Sequence, residues 1–577
     1  ILLPGIYRGN ETHEYVLALR DQDVRAFYGN FSIQCVVGNV RVDGGLIKEH
    51  KQGDKESWHN VCAPFRNGRP IYMAIDPSIQ TTLTDHRIRW KLNNVCSQTT
   101  EIMDYIKNSD KENCYAIVLV SKVPSIEARI THSLHENYLI PPIKGNVAFA
   151  SNFTSSFFNI LLPERSAPQS YCSTSVDAID KVLDYIHLYD GPSRISILLS
   201  GSKNVGKSTF ARKLVNYCLN PSKAVYFMDL DIGQSEFTPP GCISCTRMNA
   251  PIIDLPFNHQ KTFFENSFFF GDVTVKDEDQ RRYLAAVDAL YDRFIEISPK
   301  NSVLIINTMG WIDGFGRDVL DHCAQKFNPR YLFTLSGSYD RPSICYELPR
   351  SLRDDIMTFH IRWRAGYVNR NDTPLSAAHL RELATICYFA KSLPDSRPVL
   401  SAVCEIEPFE IAFDNLCIIL PFTLRTLPDR SIFSILNVSI VALCSLSGTS
   451  IPKAERRRML GSAKLPWLVL ATPTSHPIRI LGFGLVRGCD MRTRKLFVIS
   501  PLNTEQINEV DSIAYMQGVP VPPCLLYAQP IETKPYILTS GDGDDGSNSV
   551  IQSQLINDLY GAFVNKTGAM RSAVPRR

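Results

Sequence analysis

The alternation of apolar and polar positions divides the chain into three folded regions and a tail. Over 1–165, short β-branched runs such as 31–37 are separated by Gly and Pro, a pattern typical of strands joined by turns. Over 166–395, apolar runs alternate with stretches of helical periodicity. Short apolar runs return over 396–530, and an acidic Gly-Asp stretch within 531–577 is typical of a flexible linker and tail. We therefore expect β-rich N-terminal and C-terminal domains on either side of a central α/β domain.

A strand–helix–strand unit begins the core of the central domain. The apolar run 195–199 is followed by a glycine-containing turn, a helical stretch over 207–219 and a second apolar run over 224–230. Two strands joined by a crossover helix predict a parallel sheet. Further apolar runs over 302–306 and 330–335 predict that the sheet continues.

Composition limits the class of protein. The chain has 577 residues, of which 44% are hydrophobic and 21% charged, so each domain can bury a core and global disorder is excluded. The net charge of +3 is too small for a histone-like polycation, so nucleic-acid binding must depend on local patches. The most apolar stretch, 432–446, is interrupted by polar residues and rich in β-branched ones. It predicts one or two strands rather than a membrane span, and we expect no membrane partner.

The cysteines do not form a disulfide pattern. All 16 are scattered along the chain, unlike the dense pairs of secreted frameworks, so we expect a reducing compartment. Cys242 and Cys245 have the CxxC spacing of a zinc knuckle or a redox pair, but no second pair follows to complete four ligands. Buried structural thiols are the favoured interpretation.

The turn after the first central strand carries the strongest chemical signal. It matches GxxxxGK[ST], and a further hydroxyl-bearing residue follows the motif. The residues are Gly201, Ser202, Lys203, Asn204, Val205, Gly206, Lys207, Ser208 and Thr209. A strand before the motif and a helix after it are the context of a P-loop, whose N–H groups surround triphosphate oxygens. We expect Lys207 to reach the β- and γ-phosphates of ATP and Ser208 to bind Mg²⁺. A chance glycine-lysine turn is the alternative.

Two carboxylates follow the second strand. Asp229 and Asp231 lie where side chains at the C-terminal end of a parallel strand face the ligand crevice. We expect one of them to hold Mg²⁺ and the other to take a proton from an attacking hydroxyl as general base. A solvated strand end without catalytic function is the alternative.

The strand over 302–306 leads into a Thr-x-Gly-Trp sequence. Thr308 stands where many P-loop ATPases carry an acidic residue, and Gly310 and Trp311 follow. An exposed Trp beside a Gly at a strand end can stack on a base or a sugar. A Trp buried in the core is the alternative.

Together these motifs resemble the polynucleotide 5′-hydroxyl kinases. The P-loop, the Asp-Leu-Asp-Ile-Gly-Gln sequence over 229–234, the sequence over 236–241 and the Thr-x-Gly-Trp clasp carry the resemblance. The family includes the kinase subunit of the pre-mRNA cleavage factor and a nucleolar kinase of pre-ribosomal RNA processing. Two further stretches, 375–389 and 480–501, favour the nucleolar branch.

The resemblance implies a fold, an activity and a set of roles. The fold is α/β, with a central P-loop kinase domain built on a parallel sheet between β-rich domains. The implied enzyme transfers the ATP γ-phosphate to the 5′-OH of RNA in pre-rRNA spacer processing, in the nucleus and nucleolus, beside an endoribonuclease partner. Residues over 201–209 bind ATP, Ser208 and Asp229 are implied for Mg²⁺, and catalysis is assigned to Lys207, Asp229, Asp231 and Arg381. The implied grip on the RNA end consists of Gln234, Thr308, Gly310 and Trp311.

The family's lid carries arginines, and one of them has no clear counterpart in this sequence. Arg381 lies at a position that matches one of the lid arginines, whereas Ile386 stands where a second is expected. The sequence offers Arg362, Arg364 and Arg370 as substitutes.

Two other functions compete with the kinase. One is an ATP-binding scaffold of an RNA-processing complex with weak or no turnover; intact Lys207, Ser208, Asp229 and Asp231 favour the enzyme instead. The other is a GTPase, which the missing Asn-Lys-x-Asp base-reading motif argues against.

Overall fold

A computed structural model places most of the chain. The described residues are 4–10, 15–21, 23–51, 58–64, 70–76, 83–93, 95–108, 114–122, 125–135, 138–139, 158–160, 179, 182–183, 186, 193–219, 223–337, 345–362, 375–393, 403, 406–414, 416–446, 456–472, 476–526 and 539–540.

The N-terminal region is a mostly antiparallel sheet with three short helices. Its strands are β1 (Ile6–Arg8), β2 (Tyr15–Arg20), β3 (Val24–Val37), β4 (Val40–Val42), β5 (Gly45–Ile47), β6 (His59–Ala63), β7 (Ile71–Ile75), β8 (Tyr115–Lys122) and β9 (Phe158–Ile160). Its helices are α1 (Asp85–Asn93), α2 (Thr99–Lys107) and α3 (Ile126–Leu134). The strand order is β1-β2-β8-β3-β7-β4-β5, and β6 and β9 also pair with the long β3.

The central region contains the predicted parallel sheet. Its strands are β10 (Ile195–Gly201), β11 (Val225–Asp229), β12 (Cys242–Met248), β13 (Ser267–Phe269), β14 (Val303–Asn307), β15 (Tyr331–Ser336) and β16 (Met357–Arg362). Its helices are α4 (Lys207–Cys218), α5 (Pro256–His259), α6 (Gln280–Ile297), α7 (Phe315–Phe327) and α8 (Ala377–Ala390). The strands β16-β15-β10-β14-β11 are parallel neighbours, and β12 and β13 continue the sheet antiparallel.

The C-terminal strands extend the same sheet. They are β17 (Phe409–Ala412), β18 (Cys417–Pro421), β19 (Ile440–Ser445), β20 (Arg456–Arg458), β21 (Trp467–Ala471), β22 (Arg479–Asp490), β23 (Lys495–Ile499), β24 (Ser512–Tyr515) and β25 (Thr539–Ser540). Two helices accompany them, α9 (Asp429–Leu436) and α10 (Thr504–Asn508). The antiparallel pair of β13 and β22 joins them to the central strands.

Burial along β10 shows that helices cover the central sheet on both faces. Every residue of β10 is buried, which is typical of a parallel strand packed by helices on each side. Leu198 faces one core together with residues of α6 and α7, whereas Ile197 and Leu199 face a second core with residues of α4. The predicted α/β class with flanking β-rich regions is confirmed.

The prediction for 432–446 was partly wrong. Residues 432–436 belong to α9, which begins after Pro428, and only residues 440–445 form a strand, β19. Ile432 and Leu436 are buried and lie four residues apart, the spacing of a helix face. Short apolar runs of this kind cannot be assigned to helix or strand by periodicity alone.

The structure separates the two CxxC cysteines. Cys242 and Cys245 are both buried free thiols in β12. They are three residues apart on a strand and therefore on opposite faces, where they join different cores. They cannot share a metal ion, which supports the buried-thiol interpretation.

Across the described residues, no helix is both long enough and apolar enough to cross a bilayer. The predicted acidic linker and nearly all of the 531–577 tail lie outside the described residues, as do Arg364 and Arg370.

Candidate active site

Left-handed backbone shapes the loop between β10 and α4. Asn204 has φ of 64° and Gly206, which precedes the first turn of α4, has φ of 90°. A Cβ atom on Gly201 would lie 2.5 Å from the Leu335 carbonyl oxygen, so the loop can leave the sheet here only with glycine. Successive N–H groups in such a loop form an anion-binding concavity at a helix N-terminus.

The Lys207 side chain lies beneath this loop. Its Nζ donates to the carbonyl oxygens of Gly201 at 2.8 Å and Ser202 at 3.1 Å. Burial lowers the pKa of Lys207 to about 8, although the negative charge of Asp231 opposes the shift. A phosphate placed in the loop would restore the full charge of this ammonium group.

Asp229 is the buried centre of the turn after β11. Its Oδ1 accepts from the Asp231 amide at 3.1 Å and from Asn307 Nδ2 at 3.1 Å, and its Oδ2 accepts from the Glu236 amide at 2.7 Å. Only 1% of Asp229 is exposed. Burial and the neighbouring charge of Asp231 raise the pKa of Asp229 to about 8. These contacts make Asp229 an organiser of the turn.

Asp231 has a different environment. It lies two residues beyond the strand end and is half-buried. Its Oδ1 accepts from the amides of Gly233 at 2.9 Å and Gln234 at 3.0 Å, which fixes the carboxylate in a local turn. Among the described residues no hydrogen bond reaches its Oδ2, so this oxygen is available to a molecule in the crevice.

A buried ion-pair network lies behind the turn. Glu236 Oε1 is 2.7 Å from Arg212 Nε on α4 and 3.1 Å from His259 Nε2 on α5, and His259 Nδ1 contacts Asp254. Burial of His259 favours its neutral form, but the carboxylates of Asp254 and Glu236 outweigh this effect and raise the pKa of His259 to about 9. Burial of Glu236 would raise its pKa, but the Arg212 guanidinium and His259 hold the pKa of Glu236 below its ordinary value. The network ties the P-loop helix to the Asp229 turn.

The Thr-x-Gly-Trp sequence lies against the P-loop. A Cβ atom on Gly310 would come 2.8 Å from Lys203 Cα, so glycine permits the close contact of these two segments. Trp311 is 37% exposed, and its ring packs edge-on against Phe315. Thr308 is buried and its hydroxyl donates to the Leu199 carbonyl at 2.8 Å, which ties β14 to β10.

The remaining predicted site residues lie at three places. Ser208 and Thr209 are half-buried in the first turn of α4, and Gln234 is exposed beside Asp231. Arg381 is half-buried near the start of α8, a helix that packs against α3 and α5. In the described part of the chain no hydrogen bond or ion pair joins Arg381 to the P-loop. The side chain of Arg362 is outside the described residues.

Three residues of the site were not identified from the sequence. Asn307 donates to Asp229, Glu236 anchors the network to α4, and the Tyr283 hydroxyl donates to the Leu230 carbonyl at 2.6 Å. The available signal was the position of Asn307 at the end of a strand parallel to β11. Within the described residues, no group of three or more His, Cys, Asp or Glu side chains forms a metal cluster.

Comparison with known proteins finds a matching family and several relatives. Residues 201–391 match the P-loop family of the mRNA cleavage and polyadenylation factor CLP1. The chain is 28% identical over 552 residues to the polynucleotide 5′-hydroxyl-kinase nol-9 of Caenorhabditis elegans, with 95% of each chain covered. It is 30% identical over 353 residues to the polynucleotide 5′-hydroxyl-kinase NOL9 of Arabidopsis thaliana, with 57% of this chain and 86% of that protein covered. A solved Clp1p–Pcf11p complex aligns over 87% of this chain and 97% of the other at 14% identity, with a TM-score of 0.47.

Proposed function

This chain belongs to the NOL9 family of polynucleotide 5′-hydroxyl kinases, and we propose that the crevice at the ends of β10, β14 and β11 transfers the γ-phosphate of ATP to the 5′-hydroxyl of RNA. The observation that carries the proposal is the position of Asp231. Its half-buried carboxylate favours the charged form of Lys207 by opposing the lowering of that pKa, and no hydrogen bond from the described residues occupies its Oδ2. The scaffold alternative is not favoured, because the chain retains Lys207 and Asp231 and its named relatives are kinases.

The loop over 201–209 suits the triphosphate of ATP. Left-handed residues expose the N–H groups, and the Lys207 ammonium is already positioned under the loop by two carbonyl oxygens. Oxygen donors suited to Mg²⁺ are present in the Ser208 hydroxyl and the Asp231 and Asp229 carboxylates. When bound, Mg²⁺ neutralises charge on the β- and γ-phosphates. We favour Asp231 over Asp229 for contact with the ion or its waters, since Asp229 is buried among three amide donors.

Asp231 is the favoured general base. As the 5′-oxygen attacks the γ-phosphorus, the bond from phosphorus to the bridging oxygen breaks and ADP leaves. The hydroxyl proton passes to the Asp231 carboxylate, which is less buried than that of Asp229 and has one oxygen without a hydrogen bond from the described residues. Asp229 acts as a positioning residue that holds the Asp231 amide.

Trp311 is the favoured platform for the RNA end. Its partly exposed ring lies next to a Gly310–Lys203 contact and therefore at the edge of the P-loop. One base can stack on this ring, and Gln234 can donate or accept at the terminal sugar. Thr308 supports the grip indirectly, since its hydroxyl fixes β14 against β10. Arg381 would complete the site if the lid brings its guanidinium to the transferring phosphate.

We further propose a place for this activity. By resemblance to its family, the kinase acts on RNA ends in pre-rRNA spacer processing in the nucleolus, with the endoribonuclease that produces 5′-OH ends as a partner. Tethering a nuclease to the kinase raises the effective concentration of new ends to the mM range for short linkers. Co-purification of the chain with the nuclease tests this, and the absence of any complex would contradict it.

The activity itself is tested by end-labelling. The purified chain, ATP labelled at the γ-phosphate and an RNA oligonucleotide with a 5′-OH end should yield labelled RNA. The same oligonucleotide with a 5′-phosphate is the matched control and should remain unlabelled. Label in neither RNA would contradict the proposed function.

A further inference from the structure

A cavity of about 300 Å³ lies between the central strands and the C-terminal strands. One wall is formed by the segment after β13, and the other by the segments after β18 and β24. The lining residues used below are Asp272, Glu278, Phe422, Arg425 and Gln517. Its volume is at the lower end of the range of about 300–1,000 Å³ for small-ligand pockets, enough for one planar ring system.

Backbone hydrogen bonds connect this cavity to the catalytic turn. The Gly241 amide donates to the Ile232 carbonyl at 2.8 Å, directly between Asp231 and Gly233. The Gly271 amide donates to the Gly241 carbonyl at 2.9 Å, and the Gln517 amide donates to the Gly271 carbonyl at 3.0 Å. The cavity is therefore held in a constant position relative to Asp231.

An exposed aromatic residue stands at the cavity wall. Phe422 is 39% exposed, and the Arg425 guanidinium lies 4.6 Å from the centre of its ring. An aromatic ring paired with arginine is the combination that binds bases of single strands without a sequence requirement. Removing Phe422 should disturb the fold less than removing a core aromatic residue, since it lies outside the buried core.

The opposite wall offers hydrogen-bond acceptors to a base. Asp272 is held by the Val273 amide at 2.7 Å and by Lys276 at 2.9 Å, whereas Glu278 is exposed. Carboxylate and amide oxygens accept hydrogen bonds from the exocyclic amines and ring N–H groups of bases.

We propose that this cavity binds one base of the polynucleotide, downstream of the 5′ end that is phosphorylated. The inference rests on the proposed function and extends it, because it adds a second stacking point beyond Trp311. A strand held at two points keeps its terminal hydroxyl aligned with the γ-phosphate.

The test replaces one base at a time. A set of 5′-OH RNA oligonucleotides, each with a single abasic position after the first nucleotide, is phosphorylated by the wild-type chain and by Phe422→Ala. In the wild type, one abasic position should raise the KM for RNA roughly tenfold. Phe422→Ala should show the same rise with the intact RNA and no additional penalty at that position. Phe422→Tyr keeps the ring and should behave as wild type, and Met491→Ala is a matched control for loss of an exposed apolar side chain elsewhere.

Several results would overturn the proposal. Equal KM values for wild type and Phe422→Ala would do so, as would an abasic penalty that persists in the variant. If Phe422→Ala phosphorylated RNA normally but no longer bound the nuclease, the cavity would belong to a protein partner instead. If the wild type phosphorylated nothing, only the proposed function would fail, and anisotropy of a fluorescent oligonucleotide with the same variants would still decide whether the cavity binds a base.

Discussion

The side-chain amide of Asn307 donates to Asp229 Oδ1 across 3.1 Å and joins the ends of two parallel strands beneath the crevice. Asp229 in turn accepts from the Asp231 amide, so Asn307 positions the favoured base through one intermediate residue. The group at this position is a neutral amide. An acid at 307 would face the Asp229 carboxylate, whose ionised form the charge of Asp231 already disfavours.

Replacing Asn307 should therefore weaken both the fold and the reaction. Asn307→Ala removes a buried donor from Asp229 and should lower the free energy of unfolding by about 1–3 kcal/mol. Asn307→Asp adds a like charge and should be more harmful at pH 8 than at pH 5, where a carboxyl in this cluster is more readily protonated. Urea unfolding at the two pH values measures the effect of each substitution on stability. The exposed amide variant Asn93→Ala is the control, and equal stabilities of Asn307→Ala and wild type would refute the positioning role.

Affinity for ATP should decrease above about pH 8. Burial lowers the pKa of Lys207 to about 8, so the free protein increasingly carries a neutral amine above this pH. Phosphate binding favours the charged form, so ATP binding should take up a proton and weaken by up to about tenfold per pH unit. Calorimetry in two buffers of different ionisation enthalpy at pH 8.5 detects the proton. Lys207→Arg stays protonated and, where it still binds, should lose the dependence; constant affinity from pH 7 to 9.5 in the wild type would contradict the buried-lysine geometry.

The network behind the turn should make stability depend on pH. The pKa of His259 is raised from its ordinary value of 6.5 to about 9, so the protonated form stabilises the fold. This contribution is complete below about pH 6.5 and is lost as the pH rises through 9. We expect a decrease in the free energy of unfolding on the order of 1–3 kcal/mol across this interval. His259→Gln should unfold with a flatter pH profile, and an unchanged profile would exclude His259 as the cause.

Substitution of Trp311 distinguishes a role in stacking on RNA from a role in core packing. Trp311→Ala should raise the KM for RNA roughly tenfold and leave ATP affinity nearly unchanged, because one base stacked on an aromatic ring contributes about 1–3 kcal/mol. A fully buried Trp would instead reduce stability by about 3–5 kcal/mol on truncation. Trp311→Phe is the conservative control and should recover most of the RNA affinity. A less stable protein with unaltered KM for RNA would contradict the stacking role of Trp311.

The local parts of the fold could be predicted from the sequence. The strand β10, the loop and α4 lie within one or two residues of their predicted ranges, because glycines, the helix pattern and the apolar run all act over short distances. The nature of 432–446 could not be predicted in full, since an apolar run of that length suits either element. The boundaries at 165, 395 and 530 stay predictions.

The site was predicted in part for the same reason. The P-loop and the two aspartates are local motifs, so they were found, and their roles stay predictions. Asn307 is 78 residues from Asp229, and their contact depends on β14 lying next to β11 in the sheet. Similarly, Glu236 meets Arg212 and His259 only through the packing of α4 and α5. Strand order and helix packing of this kind are set by the whole core, which periodicity does not describe.

The most direct measurement is the single-turnover rate of phosphate transfer to a 5′-OH RNA at saturating ATP, for the wild type and Asp231→Asn. The substitution keeps the shape of the side chain and one oxygen for the Gly233 amide, but it removes the base. We predict a rate about 10²–10⁴-fold lower, with the dissociation constant for ATP changed little. Asp229→Asn serves as the comparison and should also lower the free energy of unfolding. Transfer by Asp231→Asn at the wild-type rate would contradict the assignment of the reaction to this crevice.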